Sequence, residues 1–127
     1  MRSADRRVII ADARSDIRRV VQEIVTRLRY PVFVTTDIGA AVRVWLDEPA
    51  SILVSDGTLL CQEWPAVGRH VRSNAGRLIV MSGYDPEDLI ELNGTAYAGF
   101  LHKPFDIMTL QIVLALVSPP AVSALST

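Results

Sequence analysis

Five short apolar runs punctuate the chain: Val8-Ile9-Ile10-Ala11, Val32-Phe33-Val34, Ile52-Leu53-Val54, Leu78-Ile79-Val80-Met81 and Phe100-Leu101. Each is too short for a helix, is bounded by polar residues or Gly, and lacks period-two alternation, which predicts buried strands of a parallel sheet. Helical spacing fills the intervals. Ile17, Val20, Val21, Ile24 and Leu28 repeat behind a Ser15 or Asp16 cap, with arginines on the opposite side. Asp37 caps a second helix carrying Ala41, Val42 and Trp45, and a third begins near Trp64-Pro65, with proline in its first turn, and runs to about Asn74. The strongest start signal is DPED at 85–88: Asp85 as cap, Pro86 first, Glu87 and Asp88 suiting the dipole, and Gly94 as the stop. Asp106 caps a last helix that runs to about Val117 and ends at Pro119-Pro120. Five strand–helix alternations predict a doubly wound α/β domain with helices on both faces of the sheet.

Size and composition bound this picture without changing it. At 127 residues, half of them hydrophobic, the chain is expected to be one domain with a core of its own. Its expected layout is an N-terminal extension over 1–6, the domain over 7–117 and a tail over 118–127. A single cysteine, Cys61, excludes an internal disulfide and fits a reducing, cytoplasmic setting. No apolar run reaches the roughly 18 residues of a membrane span, and the first residues lack the apolar stretch of a signal peptide. A net charge of -1 argues against direct nucleic-acid binding. Charge is nevertheless uneven: eight of thirteen basic residues lie in the first 29 positions, and no charged residue follows Asp106. The arginines of the first helix either steer an acidic partner or form a solvated face. The last helix offers only Asp106, Thr109 and Gln111 as polar groups, too few for an amphipathic surface helix, so a second copy in a homodimer, another partner or the tail is expected to cover it.

Candidate chemistry follows from what the strands deliver. In open parallel sheets, ligands sit at the carboxyl ends of the strands. There the first strand ends in Asp12, the third in Asp56, the fourth in Ser82 and the fifth in Lys103. Two carboxylates, a hydroxyl and an ammonium suit phosphoryl chemistry. Asp56 would attack phosphorus and hold it as an acyl phosphate, while a hard cation such as Mg²⁺ takes oxygens from Asp12, Asp56 and a carbonyl of the following loop, at Thr58. Lys103 and Ser82 would bind phosphoryl oxygens. Lys103 is the only lysine beside twelve arginines, which singles out a compact, flexible ammonium at this one position.

Taken together, VIIADARSDIRR, SILVSD, LIVMSG and GFLHKPF resemble, over about residues 7–117, the receiver domain of bacterial two-component response regulators, which are CheY-like signalling domains and not enzymes. The resemblance implies a flavodoxin-like (βα)5 fold with a five-stranded parallel sheet of order 2-1-3-4-5. It implies phosphotransfer to Asp56 from a sensor histidine kinase or phosphotransfer protein, dependence on Mg²⁺, and a downstream protein target. It also implies that Ser82 and the aromatic Phe100 shift on phosphorylation and remodel the face made by the fourth helix, fifth strand and fifth helix. Phe100 reads equally as an ordinary core residue. Thr58 and Tyr84 match positions that tune loss of the phosphoryl group; Tyr84 either hinders attacking water or lies on the surface.

The chain departs from this pattern at three places. Two adjacent acids are usual after the first strand, and here Asp12 is followed by Ala13, which is expected to weaken Mg²⁺ binding at least ~10-fold. Arg14, next in line, either brings positive charge to the site or is solvated. Leu59-Leu60 replaces the usual Met-Pro, and Trp64 stands where glycine is expected. The alternative to a phosphoacceptor is a degenerate receiver that works through protein contacts without phosphorylation. SDGTLL is also similar to the DxDGT signature of haloacid dehalogenase-type phosphatases, but Val54 stands where their nucleophile belongs, which excludes that chemistry.

Overall fold

The computed structural model describes residues 6–117. The five predicted strands are present as β1 (Val8–Ala11), β2 (Val32–Thr35), β3 (Ile52–Asp56), β4 (Leu78–Ser82) and β5 (Gly99–His102). All neighbours pair in parallel, in the order β2-β1-β3-β4-β5. Alternate side chains of each strand enter separate cores. Ile9, Leu53, Leu78 and Val80 pack on one face with Ala41, Val42, Trp45 and Val71, whereas Val8, Ile10, Val54, Ile79 and Met81 pack on the other with Val21, Val25, Leu110 and Leu114. Both faces are covered, so the strands are apolar throughout.

The helices are α1 (Ser15–Arg27), α2 (Ile38–Asp47), α3 (Gly57–Gln62), α4 (Trp64–Ser73) and α5 (Ile107–Val117). Asp37 caps α2 as expected, accepting from the amides of Gly39 and Ala40, and Asp106 accepts from the Thr109 amide and hydroxyl at the start of α5. The start of α1 differs from expectation. Arg14 is its N-cap and makes no side-chain cap bond, while Asp16 lies inside the first turn and accepts from the Ile17 amide. Val20 is half-exposed and Val25 takes its place in the core, because Val21, Ile24, Val25 and Leu28 share one helical stripe and Val20 lies about 100° away from Val21. Arg6 is buried, donating to the Ala50 carbonyl and to the Val117 carbonyl at the end of α5. The proline stop at 119–120 and the tail lie outside the described residues.

The largest departure is the fourth predicted helix. Residues 85–93 form two 3-10 turns, Pro86–Asp88 and Ile90–Leu92, with backbone bonds spanning three residues, from Asp88 to Asp85, Leu89 to Pro86 and Leu92 to Leu89. Asp85 makes no cap bond; its carboxylate lies 3.5 Å from the His102 ring at the end of β5. Tertiary anchoring overrides the local signal. Leu89 and Leu92, three residues apart and therefore aligned in 3-10 geometry, are the segment's two buried side chains, and Leu89 presses close to where a Cβ on Gly57 would stand. Gly94 still closes the segment at φ +82. Leu89→Ala is expected to cost about 2–5 kcal/mol in urea unfolding and to speed amide exchange across 86–93 more than elsewhere.

Candidate functional site

Strand register builds the site. Ala11 of β1 pairs with Ser55 of β3, so the next residues, Asp12 and Asp56, leave the sheet on the same rung. The Lys103 amide donates to the Ser82 carbonyl at 2.7 Å, which fixes the start of the lysine side chain at the end of β4. From there its four-carbon stem spans back to β1 and β3. Nζ donates to Asp12 Oδ2 at 2.7 Å and to Asp56 Oδ1 at 2.8 Å. The remaining oxygens are also engaged: Asp12 Oδ1 accepts from the Arg14 amide and Asp56 Oδ2 from the Leu59 amide, both at 2.9 Å. All four carboxylate oxygens therefore have a donor.

Electrostatics follow from this geometry. Asp12 is buried, and the Asp56 and Lys103 side chains are only 17% and 16% exposed. Burial by itself pushes the Lys103 ammonium down, but the hydrogen bonds and charges of Asp12 and Asp56 outweigh it, so its pKa is raised above the ordinary lysine value. Two carboxylates against one ammonium leave the site one negative charge in excess. The first turn of α3 offsets part of this, because its Leu59 amide donates to Asp56.

The other expected members divide into those brought near and those turned away. Ser82 is buried at the end of β4, and its hydroxyl oxygen accepts from the Tyr84 amide at 2.8 Å. Thr58 and Tyr84 line a common open cleft of about 500 Å³ with Cys61, Asp88, Leu89 and Glu91. In that cleft burial, followed by the Glu91 carboxylate, pushes the Cys61 thiol up to about 11, so it is no nucleophile. Phe100 is half-buried against the core, 6.3 Å from the Tyr97 ring and 6.4 Å from the His102 ring. The Arg14 guanidinium is turned out to Asp16, at 3.1 and 2.9 Å, so only its amide serves the site. Thr58 lies in the first turn of α3, two residues after Asp56.

Three features had no counterpart in the sequence reading. Arg18 donates to the Asp12 carbonyl at 2.8 Å and steadies the turn after β1. The Leu59 amide is presented by the short helix α3. The Lys103-Pro104 peptide is cis.

The donor chemistry fits a hard cation held by two carboxylates and water, as Mg²⁺ accepts. No group of three or more His, Cys, Asp or Glu suited to a metal occurs among the described residues, and Ala13, exposed beside Asp12, adds no oxygen.

Removing the ammonium should expose the repulsion it offsets. Lys103→Met is expected to lose about 3 kcal/mol at neutral pH, which denaturant unfolding would show. In the wild type, the pH dependence that follows from Lys103 lies at the alkaline end. A raised folded pKa gives stability that is complete below 10.5 and lost as pH rises through the folded value.

No protein-family model matches the chain, and no curated protein matches it significantly. Solved structures do match. Chemotaxis response regulator CheY4 of Vibrio cholerae aligns with a TM-score of 0.65 at 19% identity, over 87% of this chain and 97% of that one. The receiver domain of an HD domain-containing protein from Pseudomonas fluorescens Pf-5 aligns with a TM-score of 0.67 at 19% identity, over 92% and 88%. The receiver domain of sensor histidine kinase PA1611 from Pseudomonas aeruginosa, described with magnesium coordinated in its active site cleft, aligns with a TM-score of 0.62 at 18% identity, over 89% and 98%. With the sheet order and the strand-end cluster, these likenesses establish that the chain has the fold of the CheY-like receiver domains.

Proposed function

We propose that this chain is a response-regulator receiver that accepts a phosphoryl group on Asp56 from a histidine kinase or phosphotransfer protein and passes the signal on by protein contact. The observation that carries the reading is Lys103 Nζ, hydrogen-bonded to Asp12 and Asp56 together. An Asp56 oxygen forms the new P–O bond as the P–N bond of the donor's phosphohistidine breaks, and the departing imidazole takes a proton from water. As Oδ1 of Asp56 becomes part of the acyl phosphate, Lys103 transfers its hydrogen bond to a phosphoryl oxygen, and the Ser82 hydroxyl supplies a second donor from the end of β4. Asp12 and Asp56 would hold Mg²⁺, which offsets the anionic charge when bound. Ala13 leaves this cation more weakly held than a pair of adjacent acids would.

Signal output follows from the same bonds. Ser82 leaving the Tyr84 amide would loosen the turn that leads into Asp85 and the 3-10 segment, and Phe100 lies on the adjoining strand. The output face would therefore consist of this segment, β5 and α5, with 3-10 turns in place of a helix between β4 and β5. Thr58 and Tyr84 flank the cleft beside Asp56 and would set water access to the acyl phosphate. The domain extends over 7–117, works in the cytoplasm, and docks a partner on α5.

Incubation with acetyl phosphate and Mg²⁺ followed by intact mass measurement should add one phosphoryl group to the wild type and none to Asp56→Asn. Ala13→Asp should lower the Mg²⁺ concentration for half-labelling about 10-fold or more. An unlabelled wild type beside a labelled control receiver would support the phosphorylation-independent interaction module instead.

A further inference from the structure

We infer that Arg18 is a positioning residue for the phosphoacceptor site: it pins the backbone of Asp12, so that a single carboxylate with no acid beside it is held in place for Mg²⁺. The inference deepens the phosphoacceptor reading, on which the role of Asp12 toward Mg²⁺ rests. Strand register brings Asp12 to the rim, but the strand bonds stop short of it. The pairing of β1 with β2 and β3 ends at Ala11, and the Asp12 amide lies 3.4 Å from the Thr35 carbonyl, longer than an ordinary N–H···O bond. Asp12 is therefore held mainly by what its oxygens accept. The carbonyl accepts from Arg18 Nη1 at 2.8 Å, Oδ1 from the Arg14 amide at 2.9 Å and Oδ2 from Lys103 Nζ at 2.7 Å. Because the peptide unit is planar, fixing the carbonyl fixes the link between residues 12 and 13, and the Arg14 amide then fixes the carboxylate against it. Oδ2 is left directed at Lys103.

Placement and charge set Arg18 apart from its neighbours. Arg14, Arg19 and Arg27 are exposed, and Arg14 and Arg27 pair with Asp16 and Glu23. Arg18 is half-buried, and its acceptor is a main-chain oxygen six residues back. Reaching that oxygen carries a cation past the N-terminal end of α1, against the helix dipole. The excess negative charge of Asp12 and Asp56 over Lys103 offsets this cost, so both the hydrogen bond and the charge of Arg18 serve the site. Ala13 raises the demand on the bond. With no side-chain oxygen at 13, Asp12 is the one carboxylate that the end of β1 offers to a cation, and any play in its backbone passes straight to that ligand. Partners that orient a metal-binding group commonly contribute about 10- to 100-fold in metal affinity.

The test uses the full chain labelled with ¹⁵N-lysine, in which the Lys103 ammonium reports on both carboxylates. Arg18→Met keeps the aliphatic stem and removes the donor. Without Mg²⁺, this variant should retain the scalar coupling that Asp56→Asn abolishes and lose the coupling to Asp12. A role confined to the stability of α1 would leave both couplings in the folded protein. Titration with Mg²⁺, followed by the same signal, should reach its midpoint at about 10-fold higher concentration than in the wild type. Acetyl phosphate labelling should show the same rise in its Mg²⁺ requirement, with a smaller fall in rate at saturating Mg²⁺. Arg18→Lys, which again places a donor on a long stem, should restore most of the coupling and of the Mg²⁺ midpoint. The ammonium readings do not depend on phosphorylation: a wild type that takes no phosphoryl group but responds in this way would sink the acceptor reading and uphold the positioning role. Both couplings and an unchanged Mg²⁺ midpoint in Arg18→Met would overturn the inference, as would an Arg18→Lys variant no better than Arg18→Met.

Discussion

Two carboxylates leave neighbouring strands on one rung, and a single ammonium holds them together. Asp12 and Asp56 are placed by the β1–β3 register, which the two cores enforce and which no side chain at the rim can change. Such closeness between like charges is unfavourable unless a cation offsets it. Lys103 provides that cation from the far side of β4. Its reach explains why this position is lysine in a chain otherwise furnished with arginine: a flexible stem and a compact head can contact two carboxylates on different strands, whereas a planar guanidinium matches one. The same arrangement makes the site responsive. A new anion on Asp56 would alter the balance to which Lys103, Asp12 and the first turn of α3 are all tied.

Much of this was legible in the sequence because it depends on burial and register. The five apolar runs could be nothing but strands of a sheet covered on both faces, and residues that end such strands must emerge at one rim. Asp12, Asp56 and Lys103 could be read from that rule. What could not be read depends on tertiary competition. DPED followed by an apolar pair and Gly94 has the local signals of a helix, yet Leu89 and Leu92 reach the core in a tighter coil, and Asp85 faces His102 instead of capping. Val20 and Val25 exchanged roles because adjacent positions on a helix differ by only a fraction of its circumference. The α3 turn was missed because Gly57 resembles a loop residue, although its missing Cβ is what lets Leu89 approach.

These departures change how the segment beside the site is held. The segment after β4 is exposed along most of its length, is held by two leucines, and lies between Ser82 and Phe100. Short 3-10 turns bound by so few buried groups open at low free energy.

Because Lys103 is the only lysine, selective ¹⁵N-lysine labelling gives a single side-chain ammonium signal, and NMR of that signal tests the central claim directly. An ammonium held by Asp12 and Asp56 exchanges slowly and shows scalar coupling to two carboxylate carbons, one of which disappears in Asp56→Asn. A rapidly exchanging ammonium, uncoupled and indifferent to that substitution, would contradict it.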